Sequence, residues 1–225
     1  RGNMNKLGHP EKQGLYNPSK EHDSCGIGFV ANIKNRKSHE VVQQGLSILG
    51  CLTHRGAAGA DPLAGDGAGI LIQVPDRLLR EECADLGVTL PDAGEYGVGM
   101  VFLPQDEKAR ADCEKAIEEL VIGEGQAVLG WRDLPTDNSW LSDSVREMEP
   151  FIRQIFVGKG ENCADDNAFE SKLFVIRKQA HQVVATGNLA GEEQFYMTTM
   201  SSRTICFKGM MLADRVGKYY TDLQD

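Results

Sequence analysis

The stretch EHDSCGIGFVANI sets a cysteine, Cys25, between a polar run and an apolar alternation. A thiol is a good nucleophile only as thiolate, and at a pKa of about 8.5 only a few per cent is ionised at neutral pH. Cys25 therefore needs a base. The histidines, His9, His22, His39, His54 and His181, are candidates, but no local signature of a cysteine–histidine dyad accompanies any of them. A second base lies within the residue itself. If the Ser24–Cys25 bond is cut, the freed α-amine, with a pKa near 8, is neutral in roughly a tenth of molecules at pH 7 and can accept the thiol proton. The uncut amide cannot, because its lone pair is delocalised into the carbonyl. The plain alternative is a buried structural cysteine, since free cysteine is among the most buried residue types. Spacing alone leaves both readings standing.

Other segments invite chemical readings and lose most of them. GIGFVA matches a dinucleotide-binding fingerprint, and GDGAG is also glycine-rich. Such loops hold phosphate by opening a helix whose N-terminal amides face the anion. Both runs here open strands instead, and no Gly-Lys-Ser/Thr is present. Glycines of tight turns explain them better. His54-Arg55-Gly56 falls where a helix is expected to end, and cations and glycine are favoured there for structural reasons alone. A functional Arg55 would face an anion or a carboxylate.

Composition narrows the field. With 24 Lys and Arg against 33 Asp and Glu, the net charge of -9 offers no basic footprint for nucleic acid or an anionic membrane. No apolar run is long enough to span a bilayer, and the opening residues lack the apolar centre of a secretory signal, so a cytoplasmic protein is expected. The six cysteines, at 25, 51, 83, 113, 163 and 206, form no CxxC or Cys/His cluster. No metal or other cofactor is expected in this segment. Apart from Cys25 they read as small core residues, with Cys51, Cys83 and Cys113 in helix-like patterns.

The elements that must position Cys25 follow from periodicity. Residues 1–24 carry few large apolar side chains and read as a leader, with the domain proper over 25–225. From Gly26, the alternation of Ile27, Phe29, Ala31 and Ile33 predicts a half-buried strand. Ser38 is placed to cap a helix running to about His54, with Val42, Gly45, Leu46, Leu49 and Leu52 at helical spacing. A glycine-rich loop then leads to a strand ILIQV ended by Pro75. Helices are predicted near Asp76–Leu86, near Asp106–Val121, and around Leu173, Ile176, Ala180 and Val183. YGVGMVFLP, AVLGWRDLP and PFIRQIFVG read as strands, and QFYMTTM and TICFKGMML flank SSR as a hairpin. Antiparallel pairing and an α+β class follow.

Taken in order, LYNPSKEHDSCGIGFVANI, HRGAAGADPLAGDGAGILIQVP, GWRDLPT, IRQIFVG and SSRTICFKGMMLAD resemble the amino-terminal region of glutamate synthase large subunits. The likeness covers nearly all of residues 14–225. That region is a class II glutamine amidotransferase domain of the N-terminal-nucleophile hydrolase type. The resemblance implies a four-layer αββα sandwich of antiparallel sheets, here incomplete at its C-terminus. It also implies a leader removed to expose Cys25 as the catalytic residue, and Arg55 as a substrate-binding or supporting residue. Glutamine would be the substrate, and the ammonia would pass to synthase domains of the same polypeptide that carry FMN and an iron–sulfur cluster. A small electron-donating subunit or ferredoxin would supply the electrons. The family's Arg-Tyr/Phe-Ser-Thr segment and its Asn-Gly oxyanion pair have no counterpart in this sequence. Loss of one oxyanion donor costs on the order of a hundred- to a thousandfold in rate, so residues 1–225 alone are expected to be a poor glutaminase or an inactive one. Two rivals are a class II amidotransferase of sugar, purine or asparagine synthesis and a non-catalytic truncated interaction domain.

Overall fold

The computed structural model describes residues 12–14, 16–17, 25–53, 64–187 and 190–224. In chain order these form α1 (His39–Cys51), β1 (Ala64–Gln73), α2 (Asp76–Asp85), β2 (Tyr96–Leu103), α3 (Glu107–Gly123), β3 (Ala127–Asp133), α4 (Asp143–Arg146), β4 (Phe151–Gly158), α5 (Asp166–Thr186), β5 (Tyr196–Ser201), β6 (Thr204–Met211) and α6 (Val216–Tyr219). The chain is α+β, with a four-stranded sheet ordered β3-β4-β2-β5 and a two-stranded sheet β1-β6, all pairs antiparallel. α3 and α5 cover one face of the larger sheet, β6 packs against β2, and α1 packs against β1. These layers are consistent with the expected sandwich.

β2 shows why the sequence folds around the larger sheet. Its even positions, Tyr96, Val98 and Met100, join Leu79 and Cys83 of α2, Phe156 of β4, and Ile205 and Phe207 of β6. Its odd positions, Val101 and Leu103, join Cys113 and Ile117 of α3 and Leu173 and Ile176 of α5. Both faces are buried, so the strand reads as an unbroken apolar run. At Gly97 a Cβ would stand 2.4 Å from Leu173 Cδ1, so glycine is what lets α5 approach this closely. Side-chain caps set the starts of the two covering helices. Asp106 accepts from Ala109 N and Asp165 from Ala168 N, each at 2.8 Å.

Several expectations are corrected. Ser38 occupies the cap position of α1 but makes no side-chain cap bond, and α1 ends at Cys51, which is exposed. The inner stripe of α5 is completed by Val184, whereas Val183 is 39% exposed. Leu86 lies beyond α2 and is exposed. The last six residues of the supposed glycine loop are already strand: β1 starts at Ala64, six residues before ILIQV. Gly67, at φ +128, takes up the register shift between Ala64 and Ala68, a conformation glycine adopts without strain.

The predicted hairpin is the largest error. β5 and β6 flank the turn as expected, but they belong to different sheets. Side chains take the place of a ladder between them. Thr198 Oγ1 donates to Cys206 O at 3.0 Å, and Thr199 Oγ1 accepts from Cys206 N at 3.2 Å. At the corner, Glu170 of α5 accepts from Ser202 N and Ser202 Oγ, each at 2.9 Å, and from Ser201 Oγ. Ser201 Oγ in turn accepts from Arg203 N at 3.0 Å. The SSR turn is therefore a corner between layers, held by a helix carboxylate.

Burial in the core carries a pH dependence. It pushes the Cys83 thiol up to about 11, and it raises the Tyr96, Tyr219 and Tyr220 phenols, aided for Tyr96 by Asp76 and for Tyr219 by Glu149. In each case the unfolded chain gives up its proton at lower pH than the folded one. The stabilisation is thus complete below the unfolded thiol pKa of about 8.5 and is lost as pH rises toward 11, on the order of 1.4 kcal/mol per pH unit for one group. Urea midpoints should fall steadily above pH 9 and more steeply once the tyrosines contribute. A midpoint flat from pH 8 to 11 would contradict this.

Candidate functional site

Cys25 is exposed, at the head of an extended segment that leads into α1. This segment forms no ladder, which corrects the predicted strand. The alternation is real but points outward: Ile27, Phe29 and Ile33 are 88%, 89% and 98% exposed, whereas Gly26 and Val30 are half-buried. The reason is a contact made at glycine. A Cβ on Gly28 would lie 2.3 Å from Ile48 Cγ2, so the backbone itself rests on α1, while Ile27 and Phe29 on either side stay exposed and line an open cleft. A cleft of about 980 Å3 opens between this segment, the Val42–Gly45–Leu49 side of α1, and the Gly69–Val74 run of β1 and its exit. Cys25 is not itself a lining residue; it immediately precedes Gly26, which lines a cleft of ligand-binding size.

Ile48 lies in the last turn of α1, so the Gly28 contact ties the Cys25 segment to the C-terminal end of that helix. Three extended residues place Cys25 within about 10 Å of Gly28. Arg55, with His54 and Gly56, lies outside the described residues. His9 and His22 are also outside them. Of the histidines described, His39 opens α1 with Nε2 2.8 Å from Gln43 Nε2. His181 sits on α5, its Nε2 3.2 Å from Met197 O and its ring edge-on to Phe195 and Tyr196. That position lies beyond the larger sheet, among the partners of α5.

Sequence reasoning missed a buried ionic cluster beside the cleft. Arg132, in the middle of GWRDLP, is 3% exposed. Its guanidinium donates twice to Asp222, at 2.7 and 2.9 Å, and also to Glu82 at 2.7 Å and Gln154 Oε1 at 3.0 Å. Burial disfavours the Arg132 charge, but the Asp222 and Glu82 bonds outweigh it and hold the guanidinium above its ordinary value. Asp222 also lines the cleft. An arginine between strand residues gives no sign of burial in sequence; only its meeting with Asp222, ninety residues on, reveals it. The cluster fixes the turn Thr221–Leu223 to β3.

Residues 25–225 match the family model described as Glutamine amidotransferases class-II. The chain belongs to that family. Among its relatives, the Glutamate synthase [NADPH] large chain of Bacillus subtilis (strain 168) is 45% identical over 216 residues, 96% of this chain and 14% of the relative. Ferredoxin-dependent glutamate synthase 2 of Synechocystis sp. is 38% identical over 205 residues, 91% of this chain and 13% of the relative. Glutamate synthase [NADH] of Schizosaccharomyces pombe is 36% identical over 221 residues, 96% and 10%. The chain thus spans about a seventh or less of the length of these relatives. As a member of the class II glutamine amidotransferases it is an enzyme domain.

Among the described residues no group of three or more His, Cys, Asp or Glu could hold a metal ion. Cys83 is buried in one core cluster, Cys113 and Cys163 in the other, and Cys206 lies on β6. Among the same residues no helix is long and apolar enough to cross a membrane.

Proposed function

We propose that this domain hydrolyses glutamine with Cys25 as nucleophile and, after removal of residues 1–24, the α-amine of Cys25 as general base. The thiolate attacks the side-chain amide carbon of glutamine, giving a tetrahedral intermediate. The proton taken from sulfur by the α-amine passes to the departing nitrogen; the C–N bond of the tetrahedral intermediate breaks, ammonia leaves and a thioester to Cys25 remains. Water, deprotonated by the same amine, then releases glutamate and restores the thiol. Arg55 pairs with the substrate carboxylate or orients the nucleophile. In the whole polypeptide the ammonia would combine with 2-oxoglutarate and be reduced to glutamate by an external electron donor; the relatives are named glutamate synthases, with NADPH, NADH or ferredoxin in their names.

The observation that carries this reading is that the family match begins at Cys25, an exposed thiol one residue before the cleft lining. The test is the intact mass of the natural polypeptide, with and without a glutamine-mimicking diazoketone. The expected product lacks everything before Cys25 and gains one label there. A fully active polypeptide that keeps its leader would end this reading and require a histidine as base.

A further inference from the structure

We infer that Gln43 is a positioning residue for this reaction, holding α1 at the angle that presents Cys25 to the cleft. The inference rests on the proposal that Cys25 is the nucleophile. Gln43 Nε2 donates to Leu223 O at 2.9 Å, across 180 residues of sequence. The same nitrogen lies 2.8 Å from His39 Nε2, so with His39 accepting, both amide hydrogens are engaged. One turn further along α1, Leu46 meets Gly217, where a Cβ would stand 3.0 Å from Leu46 Cδ1. These two contacts fix the rotation of the helix against the C-terminal turns.

This matters because α1 is seated shallowly. None of its residues is fully buried, so apolar packing alone constrains its orientation weakly, and a part-buried hydrogen bond carries correspondingly more of the task. Its last turn holds Gly28 through Ile48, three residues from Cys25. The other side of the bond is rigid: Leu223 follows Asp222, which Arg132 clamps with two hydrogen bonds from within β3. The larger sheet is thereby the frame of reference for the nucleophile, through Arg132, Asp222, Leu223, Gln43 and Ile48. Misplacing a reacting group by about 1 Å can cost on the order of a hundredfold.

The substitution that isolates the bond is Gln43→Glu, which keeps the shape and removes the donor; Gln43→Lys restores a donor that reaches the same carbonyl. In the full-length polypeptide, Cys25 labelling is followed with two reagents. A glutamine-mimicking chloroketone needs the thiol aligned with bound ligand, whereas iodoacetamide needs only an accessible thiolate. Gln43→Glu should slow chloroketone labelling and kcat/KM for glutamine at least tenfold, leave iodoacetamide labelling within about twofold, and shift Tm by no more than a few degrees. Gln43→Lys should recover most of the loss. Unchanged chloroketone labelling in Gln43→Glu, an equal fall with both reagents, or no recovery in Gln43→Lys would each overturn the inference. Retention of activity in Cys25→Ala would instead refute the nucleophile reading itself, a result recognisable without any Gln43 variant.

Discussion

Replacing Cys25 by alanine in the full-length polypeptide is expected to lower glutamine hydrolysis by a factor on the order of 10⁴ to 10⁶, the range seen when a covalent nucleophile is removed. Glutamine should still bind, because the side chain lost is the one that forms the thioester and the cleft stays in place. The signature is a collapse of kcat, measured by ammonia release, with a dissociation constant for glutamine changed by less than about threefold in calorimetry. Exposure of Cys25 makes the experiment clean, since removing an exposed thiol leaves no cavity and should not shift stability. Substantial residual hydrolysis would return Cys25 to the structural reading its residue type first allowed.

The second large effect concerns stability. Asp222→Ala leaves the Arg132 guanidinium buried with only Glu82 and Gln154 as partners. Breaking one side of a buried ion pair costs about 3–5 kcal/mol. Glu82 remains as a partly exposed counter-charge at 2.7 Å, so the lower end, about 3 kcal/mol, is expected in urea unfolding. Removing both partners, as Arg132→Met with Asp222→Leu, should recover most of the loss, because the desolvation cost disappears with the charge. A single Asp222→Ala variant as stable as the parent would show that Glu82 suffices and that the turn Thr221–Leu223 is held by apolar contacts alone. The same variant probes function, since it loosens the frame to which Gln43 ties α1.

The helices were legible because each buries one stripe against a sheet. In α3, Ala109, Cys113 and Ile117 recur at helical spacing and all three are buried, and Asp106 announces the start with a side chain that bonds the first turn. β2 was legible from composition and from its terminal proline, though its two-sided burial erased any alternation. The two misread segments share a cause. Alternation in 26–33 states which residues are alike, but which face turns inward depends on what lies opposite, and at Gly28 that is Ile48 with no room for a side chain. The strands around SSR have strand chemistry, but whether neighbours in sequence become neighbours in a sheet depends on Thr198, Thr199 and Glu170 supplying the bonds a hairpin ladder would have made.

By itself the sequence determined the α+β class, the order and type of nearly every element, and the family, because local periodicity, caps and an ordered set of motifs are written in short stretches of chain. For Cys25, spacing left a nucleophile and a structural thiol both standing, and only the resemblance favoured the nucleophile. Only the tertiary structure decided that Arg132 is buried on Asp222, that Gln43 reaches Leu223, and that the Cys25 segment rests on the last turn of α1. Those are meetings between residues far apart in the chain, and a charge or an amide becomes structural only when folding removes water from around it and brings one partner within hydrogen-bonding distance.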